Sequence, residues 1–245
     1  MSVDKLIGPV GEDVRSSVRH DAAVASTNRF YEDHAVEYFS WTFGAQTQFV
    51  LDRFLSHLPA KASILDAGCG SGRDLKFFLS RGHCALGIDA STALVQMAAQ
   101  HSGAPCEVAR IESISYEDRF DGIWACASLL HLPRDAFRPA LRCLPRALKR
   151  GGTLFMAVQE GQGEAILPDG RLYVYYSEDD IRRSLDSAGL AVNLLVVRLL
   201  HSHAQDNLNA RAARLEAASD AAGSVLVIAS TAFIALGGWT GVDAL

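Results

Sequence analysis

The stretch that decides the fold is Leu65-Asp66-Ala67-Gly68-Cys69-Gly70-Ser71-Gly72. Three glycines alternate directly after the apolar run Ala62–Ala67 and before a helical pattern over Gly72–Ser80. Glycine lets a strand turn tightly into a helix and lets backbone approach a ligand where a Cβ would clash. The helix that follows would present its first N–H groups to an anionic group. A nicotinamide fingerprint needs Gly-x-Gly-x-x-Gly, but Arg73 stands at the sixth position and the last glycine comes one residue early. A P-loop would need Gly-Lys-Ser/Thr after a four-residue spacer, which is absent.

Outward from this loop the chain alternates with a short period. Buried strands are expected at Cys84–Ile88, Pro105–Ala109, Phe120–Ala127, Thr153–Val158 and Leu190–Leu200. Helices are expected over Ser91–His101 (Ser91 as N-cap), Arg134–Leu148 (with Pro145 disturbing its last turn) and from Ser177 to Gly189. Arg150-Gly151-Gly152 reads as a turn. This rhythm predicts an α/β, Rossmann-like, doubly wound sheet of seven mostly parallel strands with helices on both faces.

The organisation expected is a flexible N-terminal arm at 1–20, a helical lid at 21–58 with helices at 21–39 and 45–56, a core domain at 59–215 and a C-terminal extension at 216–245. The last strand has two readings. Local β-branched content places it at 225–235, inside the extension.

Composition sets further bounds. The chain has 245 residues, 49% of them hydrophobic, and 23 basic against 28 acidic residues, a net charge of −5. That balance describes an ordinary globular protein and argues against a broad grip on nucleic-acid phosphates. Five cysteines without a Cys-x-x-Cys pair argue against a zinc site and for a reducing compartment. The first twenty residues carry no apolar signal segment, so the expected location is cytoplasmic. Residues 221–241 are uncharged, but Ser, Thr, Gly and Ala dilute them, and a buried strand explains them better than a membrane span. His201 and His203 alone are too few to hold a metal, and none is expected.

Asp-x-Gly-x-Gly-x-Gly after a first strand resembles the first motif of the class I S-adenosylmethionine-dependent methyltransferases. Asp89, ending the second strand, stands where that family places its ribose-binding acid. Phe120-Asp121-Gly122-Ile123-Trp124 resembles the family's fourth strand. Tyr31-Glu32-Asp33-His34-Ala35-Val36-Glu37-Tyr38 resembles the Tyr-x-x-x-Ala-x-x-Tyr lid helix of small bacterial members.

The resemblance implies S-adenosyl-L-methionine as cofactor, held by Asp66, Gly68, Cys69, Gly70, Gly72, Asp89, Ala90, Ile111, Glu112, Cys126 and Tyr38. It also puts the last strand at 206–215, against the local reading. His131 and Tyr31 are the candidate catalytic residues; the blander readings are a capped turn before Pro133 and a core aromatic. The expected acceptor is a small, partly apolar molecule, in a pocket built by Tyr31, Tyr38, Trp41, His131 and the 159–176 loop. Methyl transfer is then an in-line displacement, governed mainly by positioning. The alternatives are a non-catalytic cofactor-binding regulator and a methyltransferase acting on RNA or protein. The lack of an Asn-Pro-Pro-Tyr-like tetrapeptide after the fourth strand counts against nucleic acid. No membrane partner is expected, and the chain is read as a monomer or homodimer.

Overall fold

Strand residues alternate between two apolar layers. Leu65, Ile123, Leu154 and Met156 join one buried cluster with Phe137, Leu141, Ile181 and Leu185. Ile64, Trp124 and Phe155 join the other with Leu51, Phe54 and Phe78. Such two-sided burial is what a parallel sheet covered by helices requires. A computed structural model describes residues 10–42, 48–188, 190, 195–199 and 225–231.

The strands are β1 (Ser63–Ala67), β2 (Cys84–Asp89), β3 (Cys106–Val108), β4 (Phe120–Cys126), β5 (Leu148–Glu160), β6 (Glu164–Ile166), β7 (Leu172–Tyr176), β8 (Leu195–Leu199) and β9 (Val225–Thr231). The first five are parallel in the order β3-β2-β1-β4-β5. β9 runs antiparallel to β5, from Thr153↔Thr231 to Gln159↔Val225, and β8 pairs antiparallel with β9. These seven strands are the sheet expected from the sequence. Its last strand follows the local reading, at Val225–Thr231; the alternative at 206–215 lies outside the described residues, as do His201 and His203. Among the described residues no helix is long and apolar enough to cross a membrane.

Several expectations are corrected. The 159–176 loop is a β-hairpin: β6 pairs antiparallel with β7, and β7 lies parallel to the end of β5. Arg150-Gly151-Gly152 is no turn outside the strand. β5 starts at Leu148, and the three residues are absorbed as a bulge between the pairs Phe120↔Leu148 and Gly122↔Thr153. The lid helix begins at Val10, well before Asp21, so residues 10–20 are helical where an arm was expected.

The helices are α1 (Val10–Asp33), α2 (Ala35–Thr42), α3 (Gln48–Leu55), α4 (Arg73–Ser80), α5 (Thr92–Ser102), α6 (Arg134–Ala147) and α7 (Glu178–Ser187). The single lid helix expected over 21–39 is thus two, separated at His34, whose backbone and ring nitrogens both engage the Phe30 carbonyl. Ser91 caps α5 by accepting from the Leu94 N–H. Ser177 and Asp180 form a reciprocal capping box on α7. Ala67, Asp89 and Cys126 end neighbouring strands, so the loops after β1, β2 and β4 open at one edge, beside the β1/β4 switch of strand order.

Candidate cofactor and acceptor site

The loop after β1 is held by backbone geometry. Gly68 and Gly70 have φ of +85° and +51°, a region costly for residues with a Cβ. A Cβ on Gly68 would lie 2.2 Å from that of Ser128, whose hydroxyl donates to the Ala67 carbonyl at 2.6 Å. One on Gly70 would stand 3.0 Å from the Tyr38 ring. The glycines therefore admit two protein neighbours, the post-β4 loop and the lid, as well as any ligand. The amides of Gly68 and Cys69 donate to the Ile88 carbonyl, and those of Gly70 and Ser91 donate to the two oxygens of Asp89, both at 3.0 Å. Asp89 is thereby fixed at the loop. Burial raises its pKa, and these amide donors oppose the rise.

One cavity runs from this loop to the lid. Gly68, Gly70, Asp89, Ala90, Ile111, Glu112 and Cys126 line it from the core, and Tyr31, Tyr38 and His131 line its other side. A smaller polar cavity continues from it, lined by Tyr38, Thr42, Asp66, Ser71, Arg73 and Asp74 among others. Asp66 is 2% exposed, and its Oδ2 has no hydrogen-bond partner among the described residues. Burial first, then the charge of Asp74, raises its pKa well above the usual carboxylate range. An orphaned buried carboxyl calls for a donor from a ligand. Asp74 itself is held by the Arg73 guanidinium and accepts from Trp124 Nε1 at 2.9 Å.

The other side of the cavity rests on long-range bonds. His131 Nδ1 lies 2.7 Å from the Leu172 carbonyl, an acceptor only, so that nitrogen carries the proton. Nε2 is then a lone pair, and it accepts from the Tyr31 hydroxyl at 2.8 Å. Burial pushes the His131 pKa down to about 4, so the ring is neutral near pH 7. Leu172 is pinned in turn, its N–H donating to Thr27 Oγ1 on α1 at 2.8 Å. Next to it Arg171, 4% exposed, pairs with Asp169 and lies over the Phe30 ring, with Tyr31 and Tyr173 beyond. At the other end of the lid, the Glu32 carboxylate accepts from Ser91 Oγ at 2.6 Å and from the Ala93 N–H, tying α1 to the start of α5.

The structure thus brings Tyr31, Tyr38, Gly68, Gly70, Asp89, Ala90, Ile111, Glu112, Cys126 and His131 around one cavity, with Asp66 in its polar extension. Gly72 stands apart, packed against Ala98 of α5. Cys69 borders the polar extension, but its thiol turns into the apolar layer toward Cys106. Trp41 and the residues of the β6–β7 hairpin do not line the main cavity. Sequence reasoning missed Thr27, Glu32 and Arg171. Leu167-Pro168-Asp169-Gly170, a turn signature, could have announced the hairpin that carries Arg171.

A methyltransferase-domain family profile matches residues 64–152. The malonyl-[acyl-carrier protein] O-methyltransferase of Erwinia pyrifoliae is 34% identical over 121 residues, which cover 45% of this chain and 43% of that protein. The chain therefore spans less than half the length of this curated relative. Among solved structures, Burkholderia thailandensis 1,6-didemethyltoxoflavin-N1-methyltransferase, solved with S-adenosylhomocysteine, superposes with a TM-score of 0.68 at 23% identity, over 87% of this chain and 89% of that one. The [4+2]-cyclase SpnF gives 0.57 at 20% identity, over 75% and 80%. Such likenesses show a shared fold, and one fold hosts several chemistries.

Proposed function

We propose, from the methyltransferase-domain match over residues 64–152 and the likeness to methyltransferases, that this chain is a class I S-adenosylmethionine-dependent methyltransferase that moves a methyl group from S-adenosyl-L-methionine to a small-molecule acceptor. The observation that carries this reading is the meeting, in one cavity, of the loop held by Asp89 with Tyr31 and Tyr38 from the lid and His131. When bound, the cofactor supplies a methyl group on a positively charged sulfur.

The chain's residues suit the two ends of that ligand. Asp89 uses one lone pair of each oxygen on a backbone amide, which leaves the others for the ribose hydroxyls. The orphaned Asp66 carboxyl, in the polar extension, suits the amino end. Ala90 and the buried Ile111 give the base an apolar wall, with Glu112 beside it. Cys126 and Tyr38 border both cavities and so stand between the two ends.

On the acceptor side, Tyr31 and His131 position the nucleophile. A proton from the acceptor passes to Tyr31 Oη as the tyrosine's own proton moves to His131 Nε2. A His131 pKa of about 4 makes that transfer uphill at neutral pH. The site therefore favours acceptors whose attacking atom is already unprotonated or readily loses its proton. Carboxylates, acidic phenols and ring nitrogens are of that kind. The lid, held by Glu32 and Thr27, excludes water from the reacting atoms.

Incubation with methyl-labelled cofactor and a panel of such acceptors tests the reading. Label should enter a small molecule, and Tyr31→Phe should lower kcat for it about tenfold or more while leaving S-adenosylhomocysteine affinity within about twofold. Label in an RNA or protein fraction, or cofactor binding without transfer to any acceptor, would contradict it.

A further inference from the structure

Cys69 and Cys106 take no part in the chemistry described above, yet they are brought together from different elements. Cys69 sits in the glycine loop, and its thiol is buried beneath it. Cys106 begins β3, opposite Gly87 of β2. A Cβ built on Gly87 would lie 2.9 Å from Cys69 Sγ and 3.1 Å from Cys106 Sγ, so both sulfurs crowd the space that this glycine leaves open. Cys106 Sγ lies 3.6 Å from the Ala104 carbonyl, to which it donates. Both are free thiols.

We propose that Cys69 and Cys106 form an oxidisable dithiol, which a peroxide converts to an intrachain disulfide that weakens cofactor binding. Cys106 is the half-buried member and Cys69 the enclosed one, which assigns their order of reaction. The neighbouring Cys69 thiol lowers the Cys106 pKa against the opposing effect of burial, and thiolate character with partial access is what peroxide attack requires. The Cys106 thiolate attacks the peroxide O–O bond, giving a sulfenic acid and releasing hydroxide or alkoxide. Cys69 then loses its proton to that base, and its sulfur displaces the sulfenic oxygen from Cys106 as hydroxide, which becomes water with the proton that the Cys106 thiol first released. Two thiols and one peroxide thus give one disulfide, water and a second water or alcohol, both sulfurs being oxidised by one electron each.

The consequence follows from how little slack the loop has. Drawing Cys69 toward β3 to bonding distance pulls on Gly68, packed against Ser128, and on Gly70, whose amide fixes Asp89. This second half of the inference rests on the cofactor-site reading given above.

The test treats the full chain with stoichiometric hydrogen peroxide, maps disulfide-linked peptides by mass spectrometry and titrates S-adenosylhomocysteine before and after. The expected result is a Cys69–Cys106 linked peptide, the loss of two thiols per chain and about tenfold weaker binding, restored by dithiothreitol. Cys106→Ser should bind the ligand as the reduced wild type does and keep that affinity after peroxide. Cys84→Ser, which removes the exposed thiol, should respond as wild type. Reaction confined to Cys84, absence of the linked peptide, or a linked peptide with unchanged affinity would overturn the proposal. If the reduced protein fails to bind S-adenosylhomocysteine at all, the cofactor-site reading fails, and peptide mapping still decides whether the disulfide forms.

Discussion

The glycine loop after β1 and the hairpin β6–β7 support the same cavity, but their partners lie at very different distances along the chain. Gly70 meets Asp89 nineteen residues on, and the Gly68 and Cys69 amides bond the neighbouring Ile88 carbonyl. The hairpin side is assembled by the pairs Thr27–Leu172, Tyr31–His131 and His131–Leu172, which are 145, 100 and 41 residues apart. The first side is local backbone geometry written in glycines; the second depends on side chains brought together from distant parts of the chain. A cofactor common to a family suits the first kind of construction. An acceptor that differs from one relative to the next suits the second, because single side chains can change without disturbing the sheet.

Breaking the local side should cost most. Gly68→Ala places a Cβ 2.2 Å from that of Ser128 at a positive φ, so we expect a loss on the order of 3 kcal/mol in urea unfolding. A change below about 1 kcal/mol would mean that the loop is looser than its packing indicates.

On the hairpin side, Thr27→Val keeps the shape but strands the buried Leu172 N–H, with an expected loss of about 1–2 kcal/mol by the same measurement. The substitution should also lower turnover of the true acceptor more than it lowers cofactor affinity. Equal losses in both would show that the lid and hairpin serve the cofactor instead.

A milder probe follows His131 by NMR. Its ring should remain in the Nδ1–H form and show no titration between pH 8 and 5, since its folded pKa is about 4. The sign for stability follows. The unfolded chain takes up this proton near pH 6.5 and the native state only near 4, so the stabilisation from neutral His131 is complete above about 6.5 and is lost as pH falls toward 4. A titration midpoint near 6.5 in the native protein would contradict the enclosed Tyr31–His131 pair.

The same contrast explains what could be read before any coordinates. Asp66, the glycines and Asp89 lie within one strand–loop–helix–strand stretch, where pattern and spacing carry the information. The seven strands also showed as apolar runs, including Val225–Thr231, whose β-branched content had marked it as one of two readings for the last strand. The hairpin escaped because β6 has three residues and sits among Gly161, Gly163 and Gly170, which together look like loop. The early start of α1 escaped although two signals were available, the Gly8-Pro9 pair just before Val10 and the four-residue spacing of Val10, Val14 and Val18. The turn Leu167-Pro168-Asp169-Gly170 could have announced the hairpin but not the partners of Arg171, and nothing near Thr27 in sequence shows what it touches.

The central claim is that Asp89 holds the cofactor of a methyltransferase at the end of β2. Isothermal titration of the protein with S-adenosylhomocysteine, beside Asp89→Ala, tests it most directly. The account predicts micromolar binding that the substitution weakens about tenfold or more, at least ~1.4 kcal/mol. Absence of binding, or equal affinity in the two proteins, would contradict it.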